Sequence, residues 1–271
     1  MIFIPDRNWP KMMNDDEKFF FDLEGYLILR QVLTPEEVAR CNEAIDRHTD
    51  TFTLPDLSLT GESKTLDASD KQKWMHGMLA WERPWCEPFR ELMVHPRIKP
   101  YLSTLLDGRY RLDHGPWIIA MDRGESGHYM HGGGYERQDF SQTYHQQYDR
   151  IQCGLTVVQF SLADEGPGDG GLALVPCSHK SSFPLPQGIG LYEEHQEHVK
   201  EIHVSAGDAI LFTEAVVHGT LVWHGQHQRR ALIYKYNPAY QYHARGYHEA
   251  RIPEYMQDMT EQQLALMPPP A

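Results

Sequence analysis

From residue 109 to about 240 the chain is a succession of short apolar runs separated by glycine and aspartate. They are YRLDHGPWIIAMD, IQCGLTVVQFSLAD, GGLALVP, VKEIHVS, DAILFTE, VVHGTLVWH and RRALIYKYN. Strands at this density, joined by Gly-Asp and Asp-Gly turns, argue against alternating βαβ units. The pattern therefore implies a mainly β fold, a β-sandwich or jelly roll, with other elements packed outside it.

Those other elements lie at the two ends. Tyr26, Leu27, Ile28 and Leu29 form a short strand after Gly25. Thr34-Pro35-Glu36-Glu37 then reads as a helix start, with Thr34 as N-cap, Pro35 at the first helical position and Glu37 closing a capping box. Val38, Cys41, Ala44 and Ile45 follow at helical spacing and predict one buried face. Residues 50–80 are polar and rich in turn formers, which suggests a long loop or lid. CEPFRELMVHPRIKPYLSTLLDG carries two short helical patterns divided by Pro96, and the tail predicts one short helix starting near Thr260. We expect a single domain over 1–271: a helical and strand region over about 15–108, a β-core over about 109–240, and a tail over 241–271.

Composition removes several classes of function. With 38 acidic and 25 basic residues the formal charge is −13, a surface that repels nucleic-acid backbones, and no Lys/Arg cluster offsets it. No apolar run approaches the ~18 residues of a membrane span, and the N-terminus lacks the pattern of a secretory signal. Cys41, Cys86, Cys153 and Cys177 contain no C-x-x-C pair, which argues against a zinc knuckle or disulfide framework and for a reducing cytoplasm.

The 16 histidines carry more information. His218 ends an apolar run that reads as a core strand, and Arg229 and Arg230 open the next such run. If the two runs form a hairpin, an arginine returns beside His218. A buried arginine needs an anion, and a carboxylate is its natural bidentate partner. Singly, a histidine at a strand end is more often hydrogen-bonded structure, and an arginine pair more often a solvated edge. Their combination with His131, 87 residues upstream at the mouth of another β-run, favours a metal site that binds an organic acid. His195, His198 and His203 read as a solvated face. His224 and His227 read as a polar turn. Tyr129, Tyr135, Tyr144 and Tyr148 either cover the core edge or stack on a substrate.

The segments HYMHGG, LADEGPGDGGLALVPCSHKSSF and AGDAILFTEAVVHGTLVWHGQHQRRALIYKY resemble the phytanoyl-CoA dioxygenase family of iron(II)- and 2-oxoglutarate-dependent oxygenases. The opening FFFDLEGYLILRQVLTPEEVARCNEAID resembles that family's N-terminal unit, so the likeness spans roughly residues 15–240. Its most specific parts are VPCSHK and the spacing from His218 to Arg229. The resemblance implies a double-stranded β-helix, a cupin-like jelly roll. It implies iron(II) on His131 and His218, 2-oxoglutarate on Arg229 with Thr220 as hydroxyl partner, and Gln159 facing the co-substrate. His179 is then a structural turn residue.

One departure matters. The family's motif is H-x-D, and this chain has His131-Gly132-Gly133. A 2-His-1-carboxylate site leaves open positions for co-substrate and oxygen, and removing the carboxylate opens one more. Either Glu136 or Asp139, carried round by the glycine-rich stretch, supplies the third ligand, or water or chloride fills the gap, or catalysis has been lost. The leading expectation is hydroxylation of a small molecule at an unactivated C–H bond, using iron(II), 2-oxoglutarate and O2. The rivals are a chloride-using halogenase and a non-catalytic cupin-like binding protein.

Overall fold

A computed structural model describes residues 12–56, 58–133, 142–241, 243 and 254–267. In chain order its helices are α1 (Asp15–Glu24), α2 (Pro35–Arg47), α3 (Glu87–Leu92), α4 (Lys99–Leu105), α5 (Gln187–Gly190) and α6 (Glu261–Leu264). The strands are β1 (Tyr26–Leu29), β2 (Lys73–Met75), β3 (Tyr110–Met121), β4 (His128–His131), β5 (Tyr144–Gln147) and β6 (Arg150–Cys153). They continue with β7 (Thr156–Ser161), β8 (Gly171–Val175), β9 (Lys200–Glu201), β10 (Ala209–Thr213), β11 (Val217–Leu221) and β12 (Arg229–Pro238). Among the described residues no helix is long and apolar enough to cross a membrane.

Two antiparallel sheets face each other as a jelly roll. One runs β1-β10-β7-β12-β3-β2 and the other β4-β11-β8-β9, with β5-β6 as a separate ribbon. Strand alternation gives the larger sheet two distinct faces. Its outer face carries Val158, Phe160, Leu211, Leu232 and Tyr234, packed with Val38, Cys41, Ala44 and Ile45 of α2. Its inner face carries Val157, Ile210, Phe212 and Ile233, packed with Leu172 and Leu174 of the smaller sheet. Alternation also separates the two arginines that open β12. Arg229 points inward, whereas Arg230 reaches α2, donating to Asn42 Oδ1 at 3.0 Å and to Asp46 Oδ1 at 2.5 Å. Tyr234 and Tyr236 anchor the outer face by donating to Phe89 O and Met93 O, at 2.7 and 3.0 Å.

Most of the sequence expectations hold here. Tyr26–Leu29 is a strand, α2 starts with the expected capping box, Pro96 lies between α3 and α4, and Thr260 caps α6. Residues 50–80 are not loop alone. Lys73–Met75 adds an edge strand to β3, too short at three residues for periodicity to reveal.

Two strands depart from regular alternation, and both departures bear on the site. Opposite the step from Ile233 to Lys235, β3 advances three residues, from Trp117 to His114. Opposite the step from His218 to Thr220, β4 also advances three, from His131 to His128. Residues three apart on a regular strand face opposite sides, and one extra residue in a bulge returns them to the same side. His114 and Trp117, and likewise His128 and His131, therefore line one cavity.

The α2 cap also predicts an acid response. Glu37 accepts from the Thr34 N–H at 2.8 Å, and the His95 imidazole 3.6 Å away holds its pKa down at about 2, from 4.5. A lowered carboxyl pKa stabilises the fold fully above the unfolded value and loses that contribution as pH falls toward the folded value. Glu37→Gln should therefore flatten the fall in urea midpoint between pH 4.5 and about 2, relative to the unmodified chain. Parallel pH profiles would contradict this account of the cap.

Candidate metal centre and co-substrate pocket

The two sheets enclose a cavity of about 480 Å³. From the smaller sheet it is lined by His128, His131, Leu172, His218 and Thr220, and from the larger by Val157, Gln159, Arg229, Ile233 and Lys235. His131 and His218 are direct cross-strand partners, with ring centroids 4.3 Å apart. Each ring commits Nδ1 to a backbone carbonyl. His218 donates to Val216 O at 2.8 Å, and His131 donates to Tyr129 O at 3.0 Å. With Nδ1 protonated, a neutral imidazole carries its lone pair on Nε2, the form a metal needs. Burial, followed by the neighbouring His131, pushes His218 down to about 3, so it is neutral at ordinary pH.

Among the described residues a carboxylate completes the group. Glu136 and Asp139 lie outside the described residues. Among the described residues, the one set of three potential ligands is His131, Glu214 and His218, whose ligand atoms all lie within 4.8 Å of one another. Glu214 sits in the short connection by which the chain leaves the larger sheet at β10 and enters the smaller at β11. Its N–H donates to Leu155 O at 2.9 Å, fixing the connection. Oε1 accepts from Lys235 Nζ at 2.8 Å, whereas Oε2 is buried without a partner. Burial alone would raise this carboxyl, but the Lys235 charge and the imidazoles hold it at about 2. A buried ionised carboxylate with an unmet oxygen, facing two neutral imidazoles, is a donor set that fits a divalent cation.

The glycines explain why position 133 carries no ligand. Gly132 and Gly133 have φ of +90° and +102°, a region that side chains disfavour. A Cβ on Gly132 would meet Val216 O at 2.9 Å and Glu214 O at 3.0 Å, and one on Gly133 would meet Val217 Cγ2 at 3.0 Å. The backbone after His131 is pressed against the connection that delivers Glu214. The sequence signal was present in EAVVH, an acid four residues before the second histidine.

The residues expected to bind the organic acid share this cavity, though not through a hairpin. β11 and β12 belong to different sheets, so Arg229 faces the histidine pair across the cavity. Its Nε donates to Glu165 Oε2 at 2.7 Å, and both side chains are about 1% exposed. Gly171 leaves room for that pair, since a Cβ there would lie 2.5 Å from Glu165 Oε2. Nη1 reaches the Met121 sulfur, a weak acceptor, at 3.8 Å. Gln159 is 2% exposed and its Nε2 has no partner. An unmet buried amide and a guanidinium on one wall suit an acid group that comes and goes.

Other sequence candidates fall elsewhere. His179 is buried, donates from Nε2 to Asp22 O at 3.1 Å and lies outside the cavity wall. His195 and His198 are exposed, and His227 meets Asp164 O at 2.8 Å. Tyr144 donates to Asp22 at 2.5 Å, Tyr148 is 88% exposed, and Tyr135 lies outside the described residues. His128 was missed, because the bulge that turns it inward leaves no periodic trace. Burial, and then His131 and His218, push it down to about 3.

The family described as Phytanoyl-CoA dioxygenase (PhyH) matches residues 21–231. No curated protein matches the chain. HygX from Streptomyces hygroscopicus, solved with nickel, 2-oxoglutarate and hygromycin B bound, superposes with a TM-score of 0.70 at 21% identity, covering 86% of this chain and 90% of its own. SnoK, an alpha-ketoglutarate-dependent carbocyclase from nogalamycin biosynthesis, gives 0.59 at 15% identity over 84% and 85%. Likenesses at these identities establish the shared jelly roll.

Two substitutions test the geometry. Lys235→Met leaves Glu214 buried and uncompensated, which should cost the metal-free protein about 3–5 kcal/mol. Saturating nickel(II) should then recover more stability in the variant than in the unmodified protein, read as paired urea titrations. Gly133→Asp should restore no ligand. It should lower stability by about 1–2 kcal/mol without tightening metal binding, since its backbone disfavours any side chain. Tighter metal binding by Gly133→Asp would show that position 133 can still supply the carboxylate.

Proposed function

Because the chain belongs to the phytanoyl-CoA dioxygenase family of iron- and 2-oxoglutarate-dependent oxygenases, we propose that it is a dioxygenase that hydroxylates a small molecule at an unactivated C–H bond. The observation that carries this reading is the convergence of His131, Glu214 and His218 in a cavity whose opposite wall holds Arg229 and Gln159. Iron(II) held by these three residues would supply oxygen activation, drawing electrons from 2-oxoglutarate, which leaves as succinate and carbon dioxide.

The protein's own residues do the rest. Glu214 offers one negative charge to the cation, and the carbonyls of Tyr129 and Val216 hold the two rings in the ligating tautomer. Arg229 pairs with the far carboxylate of the co-substrate, with Thr220 and Gln159 as further hydrogen-bonding partners on the wall. Val157, Leu172, Phe212 and Ile233 keep water from the space between the metal and the substrate. Hydroxylation is favoured over halogenation because Glu214 supplies the anion whose absence at position 133 would otherwise leave a place for chloride. The chemistry named for SnoK shows that this fold also serves other outcomes, so the product itself is part of the test.

An anaerobic titration with iron(II) and 2-oxoglutarate should produce a visible charge-transfer band that chloride does not shift. With oxygen, succinate should form. Glu214→Ala should weaken iron binding by at least roughly 100-fold. Arg229→Lys, which keeps the charge beside Glu165 and removes the planar fork, should weaken 2-oxoglutarate by roughly tenfold with iron affinity unchanged. No band in the folded, unmodified protein would remove the oxygenase reading. A band that moves with chloride would move the assignment to halogenation.

A further inference from the structure

One wall of the cavity, on the side of β2 and β3, is formed by side chains given no part above in holding the metal or the co-substrate: Trp74 from β2, His76, His114 and Trp117 from β3, and His243. The bulge in β3 is what brings His114 and Trp117 to the same side. Their rings stack at 5.1 Å and 21°, and His76 stacks on Trp117 at 6.3 Å and 25°. His114 is further fixed by Asp113, whose Oδ2 accepts from its Nδ1 at 2.7 Å, so the opposite edge of the ring carries Nε2. Asp113 is fully buried, and its Oδ1 accepts from Asn237 Nδ2 at 2.7 Å and from the His243 N–H at 2.8 Å. This amounts to a supported imidazole rather than a loose surface histidine.

The chemistry of this wall is one-sided. Trp74 Nε1 is a buried donor without a partner. Among the described residues no aspartate or glutamate lines this wall, and the nearby Glu214 is already paired with Lys235. Aromatic walls often favour cations, but Lys235 Nζ already lies 5.4 Å from the Trp117 ring. Burial, and then the facing His114, hold His76 below its ordinary pKa, so a bound ammonium would meet the Lys235 charge and no anionic partner among these side chains. Lys235, the cross-strand partner of His114, links this wall to Glu214, and Ile119, Ile233 and Phe212 give the same cavity an apolar lining.

We propose that Trp74, His76 and His114 form the substrate-recognition subsite, and that it selects a small organic carboxylate with an apolar body. The carboxylate accepts from Trp74 Nε1 and from an N–H of His76, with the Asp113-held His114 ring stacked on Trp117 as the fixed floor of the subsite, and the apolar chain extends toward His131, Glu214 and His218. The inference rests on reading this cavity as the oxygenase pocket, and it assigns the substrate class that the fold leaves open.

The test uses full-length protein loaded with nickel(II) and saturating 2-oxoglutarate, titrated by calorimetry with hexanoate, hexanamide and hexylamine. Hexanoate should bind at least about tenfold more tightly than either neutral or cationic analogue, the worth of one charge-assisted hydrogen bond. Trp74→Phe, which keeps the ring and removes the donor, and His76→Leu, at an exposed position, should each reduce that preference about fivefold or more while 2-oxoglutarate affinity stays unchanged. Equal or tighter binding of the amide or amine would overturn the proposal, as would no binding of hexanoate at millimolar concentration. So would a preference that survives both substitutions. Failure of the oxygenase reading appears separately, in the 2-oxoglutarate titration of the unmodified protein.

Discussion

A single buried carboxylate organises the space between the two sheets. Glu214 leaves the end of β10, is held at Leu155, and takes Lys235 from β12 on Oε1, which also lies 3.6 Å from His218 Nε2, with His131 beside it. Strands β4, β10, β11 and β12, from two sheets, thus meet at one charge. Well-packed apolar residues would serve stability at least as well, because the desolvation of a buried ion pair offsets most of its attraction. The arrangement makes sense as preparation for a cation. The carboxylate stays ionised in a dry site because a lysine neutralises it, and the imidazoles stay neutral because burial forbids a further positive charge.

A jelly roll gives each strand one inward residue in two, and this site needs more than that. Regular alternation would turn His128 away if His131 points in, and His114 away if Trp117 points in. The bulges in β4 and β3 cancel that rule locally, and they do so at the two strands that carry the histidine-rich ends of the cavity. In β3 the residues between the two inward side chains are Gly115 and Pro116, of which the proline has no N–H to leave unpaired. The cost is local ladder hydrogen bonds. The return is a cavity whose lining includes His114 with Trp117 and His128 with His131.

What the sequence reveals and what it hides divide along the same line. Helix α2 was legible to the residue, because Thr34, Pro35 and Glu37 act on neighbours three positions away. The strands were legible because their apolar runs are bounded by turn formers. Arg229 was placed correctly in the pocket for a partly wrong reason. Its internal counter-ion is Glu165, 64 residues upstream, and its approach to His218 comes from the facing of two sheets rather than a hairpin. Such relations depend on how sheets stack, and no local pattern encodes that. The carboxylate beside the two histidines was hidden for a related reason: the glycines after His131 point downstream along the chain, whereas Glu214 arrives from a connection 81 residues away.

The glycine pair and Glu214 are best understood as one device. In a site that takes its carboxylate two residues after the first histidine, position 133 carries a side chain and the neighbouring backbone must stand off to admit it. Here both positions adopt left-handed conformations, and the peptide oxygens of Glu214 and Val216 come so near Gly132 that a Cβ would lie 3.0 and 2.9 Å from them. That closeness brings the β10–β11 connection to the mouth of β4, where the Glu214 side chain reaches the same two imidazoles. A larger residue at 132 would push the connection outward and withdraw the ligand along with it. The glycines and Glu214 are therefore coupled: the close approach that only glycine allows at 132 holds the β10–β11 connection where the Glu214 carboxylate groups with His131 and His218.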